Sequence, residues 1–210
     1  LSPPHDAGML QAELRVRLAA AVQQQLVADV PLGIFLSGGL DSSTIVAFAR
    51  QSHTGPLKTF SIGFDDPSYD ETHLARIVAQ RFETEHTELT VRPDATELAP
   101  KLIAHFDEPF ADSSAIPTYY LAQLTRQHVT VALGGDGGDE LFAGYATYQA
   151  DKLAAMYEHL PAPLSRGLVP TVVRQLPVSD SKVSFDLKAR RFVAHALLEP
   201  GRRHYAWKAF

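Results

Sequence analysis

The sequence predicts an α/β fold built on a parallel sheet, and three features predict it. Short apolar runs alternate with amphipathic stretches from Met9 to Leu133, two of those runs end in glycine-rich loops, and after Tyr145 only helical spacing continues. Alternation of this kind gives βα units, parallel strands and right-handed crossovers. With 210 residues, 45% of them hydrophobic, the chain suffices for one such domain with an appendage.

Each element has its own signal. Leu10, Leu14, Leu18, Val22 and Leu26 recur every four residues across Met9–Ala28, an amphipathic helix that Pro31 ends, with Gln23–Gln25 on its wet side. Leu32–Leu36 is a short continuous apolar run, as in a strand buried on both faces. A helix follows over Ser42–Gln51, then a strand over Leu57–Phe64 (LKTFSIGF) and a helix over Tyr69–Phe82 opened by Asp70. His86–Val91 reads as a strand, Asp94–Phe106 and Pro117–Gln127 as helices, and Val129–Leu133 as a strand. Beyond Tyr145, apolar residues at helical spacing are interrupted by Pro161, Pro163, Pro170 and Pro177. The expected organisation is a core over residues 1–150 and a helical extension over 151–210, the boundary falling near 145 to 160.

Composition excludes several classes. The net charge of −5 offers no general attraction for nucleic acid or an anionic membrane. No cysteine is present, so no disulfide, thiolate zinc site or cysteine nucleophile lies within these residues. The nine histidines show no ligand spacing. No apolar run approaches a membrane span and no signal-peptide layout opens the chain, so a cytoplasmic location is expected. The start at Leu1 and the abrupt end read as a piece of something longer.

Chemistry is expected at the carboxyl ends of the strands, where ligands of open parallel sheets sit. Ser37-Gly38-Gly39-Leu40-Asp41-Ser42-Ser43 follows the first strand. Glycines allow close backbone approach, hydroxyls add donors, and a helix N-terminus favours an anion such as phosphate or pyrophosphate. Asp41 suits such an anion when a divalent cation lies between them. The bland alternative is a turn in which Asp41 or Ser42 merely caps the helix. The second loop, Gly134-Gly135-Asp136-Gly137-Gly138-Asp139-Glu140, places four glycines and three acids in succession. Ordering those glycines is entropically costly and the acids repel one another, which a cation or a general acid/base role would explain. A solvated acidic turn is the alternative.

SGGLDSS after a buried strand, TFSIGF as the next strand, and GGDGGDELFAGY further on resemble the synthetase domain of the asparagine synthetase family. The resemblance runs from about Leu10 to Tyr145, and more loosely through KARRF onward. It implies the PP-loop ATP-pyrophosphatase fold, an adenine-nucleotide α-hydrolase-like sheet domain. It also implies an enzyme that activates a carboxylate such as aspartate with ATP and Mg2+, releases pyrophosphate, and forms an amide with ammonia. Laid on these positions, Ser37, Gly38, Gly39, Asp41, Ser42 and Ser43 would hold the pyrophosphate. Asp41 and Asp139 would reach magnesium from two strand ends. Phe35, Leu36, Ile62, Gly134 and Gly135 would surround the adenosine. Asp136, where many members carry Glu, would orient or deprotonate ammonia, and Gly134 stands where serine is frequent.

The same resemblance places ammonia supply in a glutaminase domain outside these residues and is compatible with a homodimer. No nucleic-acid or membrane partner is expected. A β-lactam synthetase would share the adenylation step, and a non-catalytic nucleotide-binding module is the alternative from another class. The family's lysine-bearing GKxxLR-like segment is not found in this sequence. Asp107-Glu108-Pro109-Phe110-Ala111-Asp112-Ser113-Ser114 reads either as an acceptor-pocket segment or as an acidic loop before a helix. Tyr69-Asp70-Glu71 reads as a helix start, and Arg190-Arg191 and Arg202-Arg203 read as solvated charges on helix faces, with phosphate contact as the alternative.

Overall fold

A four-stranded parallel sheet in the order β3-β2-β1-β4 organises the first half of the chain. The structure is a computed structural model, and it describes residues 6–67, 70–92, 94–108, 112, 114–178 and 184–208. The strands are β1 (Leu32–Phe35), β2 (Lys58–Phe64), β3 (Glu85–Val91) and β4 (Val131–Leu133). From β1 the chain steps outward to β2 and β3, then returns to place β4 on the other side of β1. The strand order therefore reverses between β1 and β4, and in open α/β sheets a ligand crevice opens at that reversal.

Registry separates the two faces, because partners in a parallel ladder point the same way while successive residues alternate. Ile34 pairs with Thr59 and Leu133, and Phe35 with Phe60. On the Ile34 and Leu36 face lie Val22 of α1 (Ala7–Gln25), Val46 and Ala49 of α2 (Leu40–Ser52), and Ala75 and Ala79 of α3 (Thr72–Arg81), all buried in one core. α4 (Ala95–Phe106) packs against α5 (Ala115–Arg126), which packs on β2. On the Phe35 face, Gly33 allows close packing: a methyl there would come within 2.5 Å of the Phe60 ring.

Local sequence accounts for the helix starts. Asp94 caps α4 by accepting from Thr96 N (2.9 Å) and Glu97 N (3.1 Å). Asp70 accepts from the backbone N and hydroxyl of Thr72, so its role is at the helix start; Tyr69 lies outside the described residues. The apolar stripe of α1 is only partly used. Val22 is buried and Leu26 packs beside it, whereas Leu10 is 48% and Leu14 38% exposed, because α2 is met only by the C-terminal part of the helix.

β2 and β3 are locked by a polar cluster on the sheet. His86 Nδ1 lies 2.9 Å from the Thr59 hydroxyl and Nε2 3.1 Å from that of Ser61. Glu88 lies 3.9 Å from the ring and is itself paired with Arg76 of α3. Burial lowers the His86 pKa from its ordinary 6.5, with Glu88 opposing and Arg76 assisting. A depressed histidine favours the neutral form in the folded state, so its contribution is complete above the unfolded value and declines as pH falls through and below 6.5. Urea midpoints should therefore fall faster between pH 7 and pH 5 in the wild type than in His86→Gln, and parallel curves would refute this assignment.

Compact packing divides the chain at Asp136/Gly137, inside the second glycine-rich loop and earlier than the expected 145 to 160. The reason lies in the helices that follow. α6 (Gly138–Phe142), α7 (Ala146–Tyr157), α8 (Val169–Arg174), α9 (Phe185–His195) and α10 (Pro200–Lys208) form a unit with a core of Ala154, Tyr157, Ala196 and Trp207. No strand occurs there among the described residues. Pro161 and Pro163 precede a π-helical turn (Leu164–Leu168), and Pro170 lies in the first turn of α8, which continues directly from that π-helical turn. Arg203 departs from expectation. It is 4% exposed, donates to Asp151 Oδ1 (3.0 Å), Glu158 and the Ala196 carbonyl (3.1 Å), and lies 5.7 Å from the Trp207 ring. It is a buried structural cation, because Asp151 of α7 and Glu158 at the end of that helix face it.

Candidate active site

The first glycine-rich loop links β1 to α2 at the switch point, and its conformation is internally fixed. The Ser37 and Ser42 hydroxyls lie 3.0 Å apart, Gly39 N donates to Ser37 Oγ (3.2 Å), and Ser42 Oγ donates to the Gly39 carbonyl (3.3 Å). α2 begins at Leu40 with Gly39 as N-cap and no side-chain cap bond, so neither Asp41 nor Ser42 plays the capping part. Ser42 is instead a buried lock on the loop. Ser43 Oγ is buried without a hydrogen-bond partner among the described residues, and the orphaned helix N–H groups lie in the same first turn.

The two neighbouring glycines do different jobs. Gly38 has φ +82°, and a methyl there would lie 2.5 Å from Ala75 N and from Leu74 C, so the loop is seated directly on the α3 backbone. Gly39 has an ordinary φ of −67°, and a methyl there would meet only Ser37 Oγ, at 3.3 Å. Gly38→Ala should cost about 2 kcal/mol or more, from left-handed strain plus the overlap with α3. A thermal melt checks this, and an unchanged melting temperature would show that the seat on α3 is dispensable.

The second loop meets the first. A methyl on Gly135 would stand 3.0 Å from both Asp41 Cβ and Ser42 N, so Gly134-Gly135 runs along the opening of α2. A methyl on Gly134 would stand 2.5 Å from Asp136 Oδ2. A glycine at 134, where serine was the alternative, thus leaves the short Asp136 side chain its room. The side chains of Asp41 and Asp136 make no hydrogen bond or ion pair with a described residue, and Asp136 is exposed.

Phe35 and Ile62 share one face at the carboxyl ends of β1 and β2, both half-buried. A cavity of about 500 Å³ has Phe35 in its lining, with Tyr119, Gln123 and Arg126 of α5, Val129 just before β4, and Val131 and Ala132 at the start of that strand. Leu36 points to the opposite face and is 1% exposed in the core, so its side chain is not available to an adenine and only its main chain could serve.

In the second unit, Gly137 (φ +87°) starts the short helix α6, which carries Asp139 and Glu140 in its first turn. Ala143 ends the helix at φ +56°, Gly144 N donates to the Asp139 carbonyl (3.1 Å), and Tyr145 donates its phenol hydrogen to Glu140. That bond pushes the Tyr145 pKa up to about 12. Asp139 makes no side-chain hydrogen bond or ion pair with a described residue. Sequence reading included Ala143, Gly144 and Tyr145 at the end of GGDGGDELFAGY but gave them no role of their own.

For the remaining segment, Asp107 ends α4 in the left-handed region (φ +58°) and Asp112 Oδ1 accepts from Ser114 N (2.8 Å) just before α5. The part of that segment at Pro109, Phe110, Ala111 and Ser113 lies outside the described residues.

A parallel sheet with glycine-rich loops and acids gathered at its switch point is the architecture of nucleotide-binding α/β proteins. Sequence comparison narrows the class. The chain belongs to the asparagine synthase family, whose profile matches residues 13–207. It is 41% identical over 162 residues to asparagine synthetase [glutamine-hydrolyzing] 1 of Bacillus subtilis, covering 76% of this chain and 25% of that protein. It is 45% identical over 148 residues to putative asparagine synthetase [glutamine-hydrolyzing] 2 of Methanocaldococcus jannaschii, covering 70% and 28% respectively. The chain thus spans about a quarter of the length of these relatives. Among solved structures, NMN synthetase from Francisella tularensis aligns with a TM-score of 0.44 at 18% identity, over 64% of this chain and 58% of that one. No described helix is long and apolar enough to cross a membrane.

Proposed function

We propose that this chain is the ATP-using part of an amide-forming ligase that activates a carboxylate such as aspartate and transfers ammonia to it. The observation that carries the reading is the meeting of the two glycine-rich loops at the switch point, with Gly135 against Asp41 and Ser42. The family membership and the glutamine-hydrolyzing relatives support it.

In this reading, an oxygen of the substrate carboxylate attacks the α-phosphorus of ATP, the bond from that phosphorus to the bridging oxygen breaks, and pyrophosphate leaves with the electron pair. Ser37, Ser43 and the N–H groups around Gly39 hold the departing pyrophosphate, where preorganised donors act on developing charge. Phe35 and Ile62 take the adenosine, with main-chain groups of Leu36, Gly134 and Gly135. Ammonia then attacks the acyl carbon and AMP leaves, while Asp136 orients the nitrogen and accepts its proton.

Carboxylates are the ligand type that magnesium takes. No cluster of three or more acid or histidine side chains is placed for a metal among the described residues, but magnesium bound to phosphates needs only one or two carboxylates. Asp41 and Asp139 are proposed for that part, and the ion would supply positive charge to the pyrophosphate oxygens. Ammonia is proposed to come from a glutaminase domain of the longer protein, the whole acting in the cytoplasm, with a homodimer as a compatible assembly. Carboxylate-dependent exchange of labelled pyrophosphate into ATP tests the reading. Exchange that requires aspartate or a related acid is expected, and nucleotide binding with no exchange for any acid, in the full-length protein, would overturn it.

A further inference from the structure

The glycine of Ala143-Gly144 stands where backbone conformation does not ask for it. Ala143 occupies the left-handed region at φ +56°, the position that favours glycine, while Gly144 does not lie there. Backbone freedom therefore does not explain Gly144, and space does. A methyl on Gly144 would overlap Asp139 Oδ1, and would come within 3.0 Å of its Cγ and 3.3 Å of its Cα. The same turn brings Gly144 N to the Asp139 carbonyl and holds Glu140 through Tyr145.

We infer that Gly144 is a positioning residue for Asp139: its missing side chain is what allows the carboxylate the rotamer in which it serves magnesium. The inference rests on the proposed role of Asp139 and adds the group that aims it. A side chain at 144 would leave the helix intact, since an aspartate can rotate away, but the rotated carboxylate would no longer be presented in the same direction. Residues that orient a metal-binding carboxylate typically change metal affinity by about ten- to a hundredfold.

The test is calorimetric titration of a non-hydrolysable ATP analogue at graded magnesium, with thermal melts, on wild type, Asp139→Ala, Gly144→Ala, the double variant and Ala143→Gly. Gly144→Ala is expected to raise the half-saturating magnesium about tenfold or more and to leave magnesium-free binding unchanged. The double variant should be no worse than Asp139→Ala, because the clash has lost its partner. Ala143→Gly should bind as wild type and melt higher. Wild-type magnesium dependence in Gly144→Ala, or losses that multiply in the double variant, would overturn the inference while leaving Asp139 in its role. Wild-type magnesium dependence in Asp139→Ala would overturn the role itself. Should Gly144→Ala not fold, the double variant decides: recovery of folding supports the steric pairing with Asp139, and failure to recover rejects it.

Discussion

Gly39→Val is expected to abolish measurable magnesium-dependent binding of ATP while changing the melting temperature little. The two halves of that result come from different observations. Gly39 has φ −67° and ψ 169°, which a β-branched residue adopts readily, and the space beside it holds only the Ser37 hydroxyl within 4 Å. The fold should therefore absorb the valine at a cost within about 1 kcal/mol, as for most surface substitutions. The ligand would not. Gly39 is the N-cap of α2, so its side of the loop is where a phosphate would meet the helix N–H groups. Hydrogen bonds to a charged group contribute about 1.5–3 kcal/mol each, so keeping a phosphate from two of them weakens binding by roughly a hundredfold or more. Calorimetry with the magnesium–nucleotide complex reads the first half and a thermal melt the second. Wild-type affinity in this variant would remove the loop from the phosphate site. The contrast with Gly38→Ala, whose cost falls on folding, separates the glycine that the backbone needs from the one that the ligand needs.

The sheet was legible because β1, β2 and β4 are short, largely apolar runs and β3 carries Thr, Leu and Val in an extended pattern, and all four were found within about two residues of their observed ends, the usual uncertainty of element boundaries. Burial was less legible. Periodicity gives a helix its apolar stripe but not its partner, so Leu10 and Leu14 read as core and stand exposed. Composition also could not distinguish Arg203 from Arg202. One is enclosed by Asp151, Glu158 and Trp207 and the other is exposed, because carboxylates some fifty positions earlier in the chain meet only one face of α10. At the site, the residue types of the first loop pointed to an anion and those of the second to a cation or acid/base role, whereas the distribution of work among them was hidden. Ser42 locks the loop, Leu36 turns to the core, and Gly134 and Gly144 are empty spaces beside acids, a property that belongs to pairs of residues and not to either alone.

Asp136→Asn is expected to slow amide formation by about a hundredfold or more while leaving carboxylate-dependent pyrophosphate exchange within a few-fold of wild type. General acid–base groups contribute roughly 10²–10⁴ in rate, and the exchange reaction involves only the adenylation step, in which Asp136 is assigned no part. The structure favours such a division of labour. The Asp136 side chain is exposed and makes no hydrogen bond or ion pair with a described residue, so no described partner requires the charge for stability, and asparagine keeps the shape. Its room beside Gly134 is equally open to the amide. The measurement is a pair of assays on the full-length protein, exchange of labelled pyrophosphate and ammonia-dependent amide production. Supplying ammonia directly bypasses any glutaminase, so the difference reports the attack step. If both activities fall together, Asp136 serves adenylation or magnesium, and the proton of the incoming ammonia must pass to another group. If neither falls, the Asp136 side chain has no part in either step, and the base lies elsewhere in the longer protein.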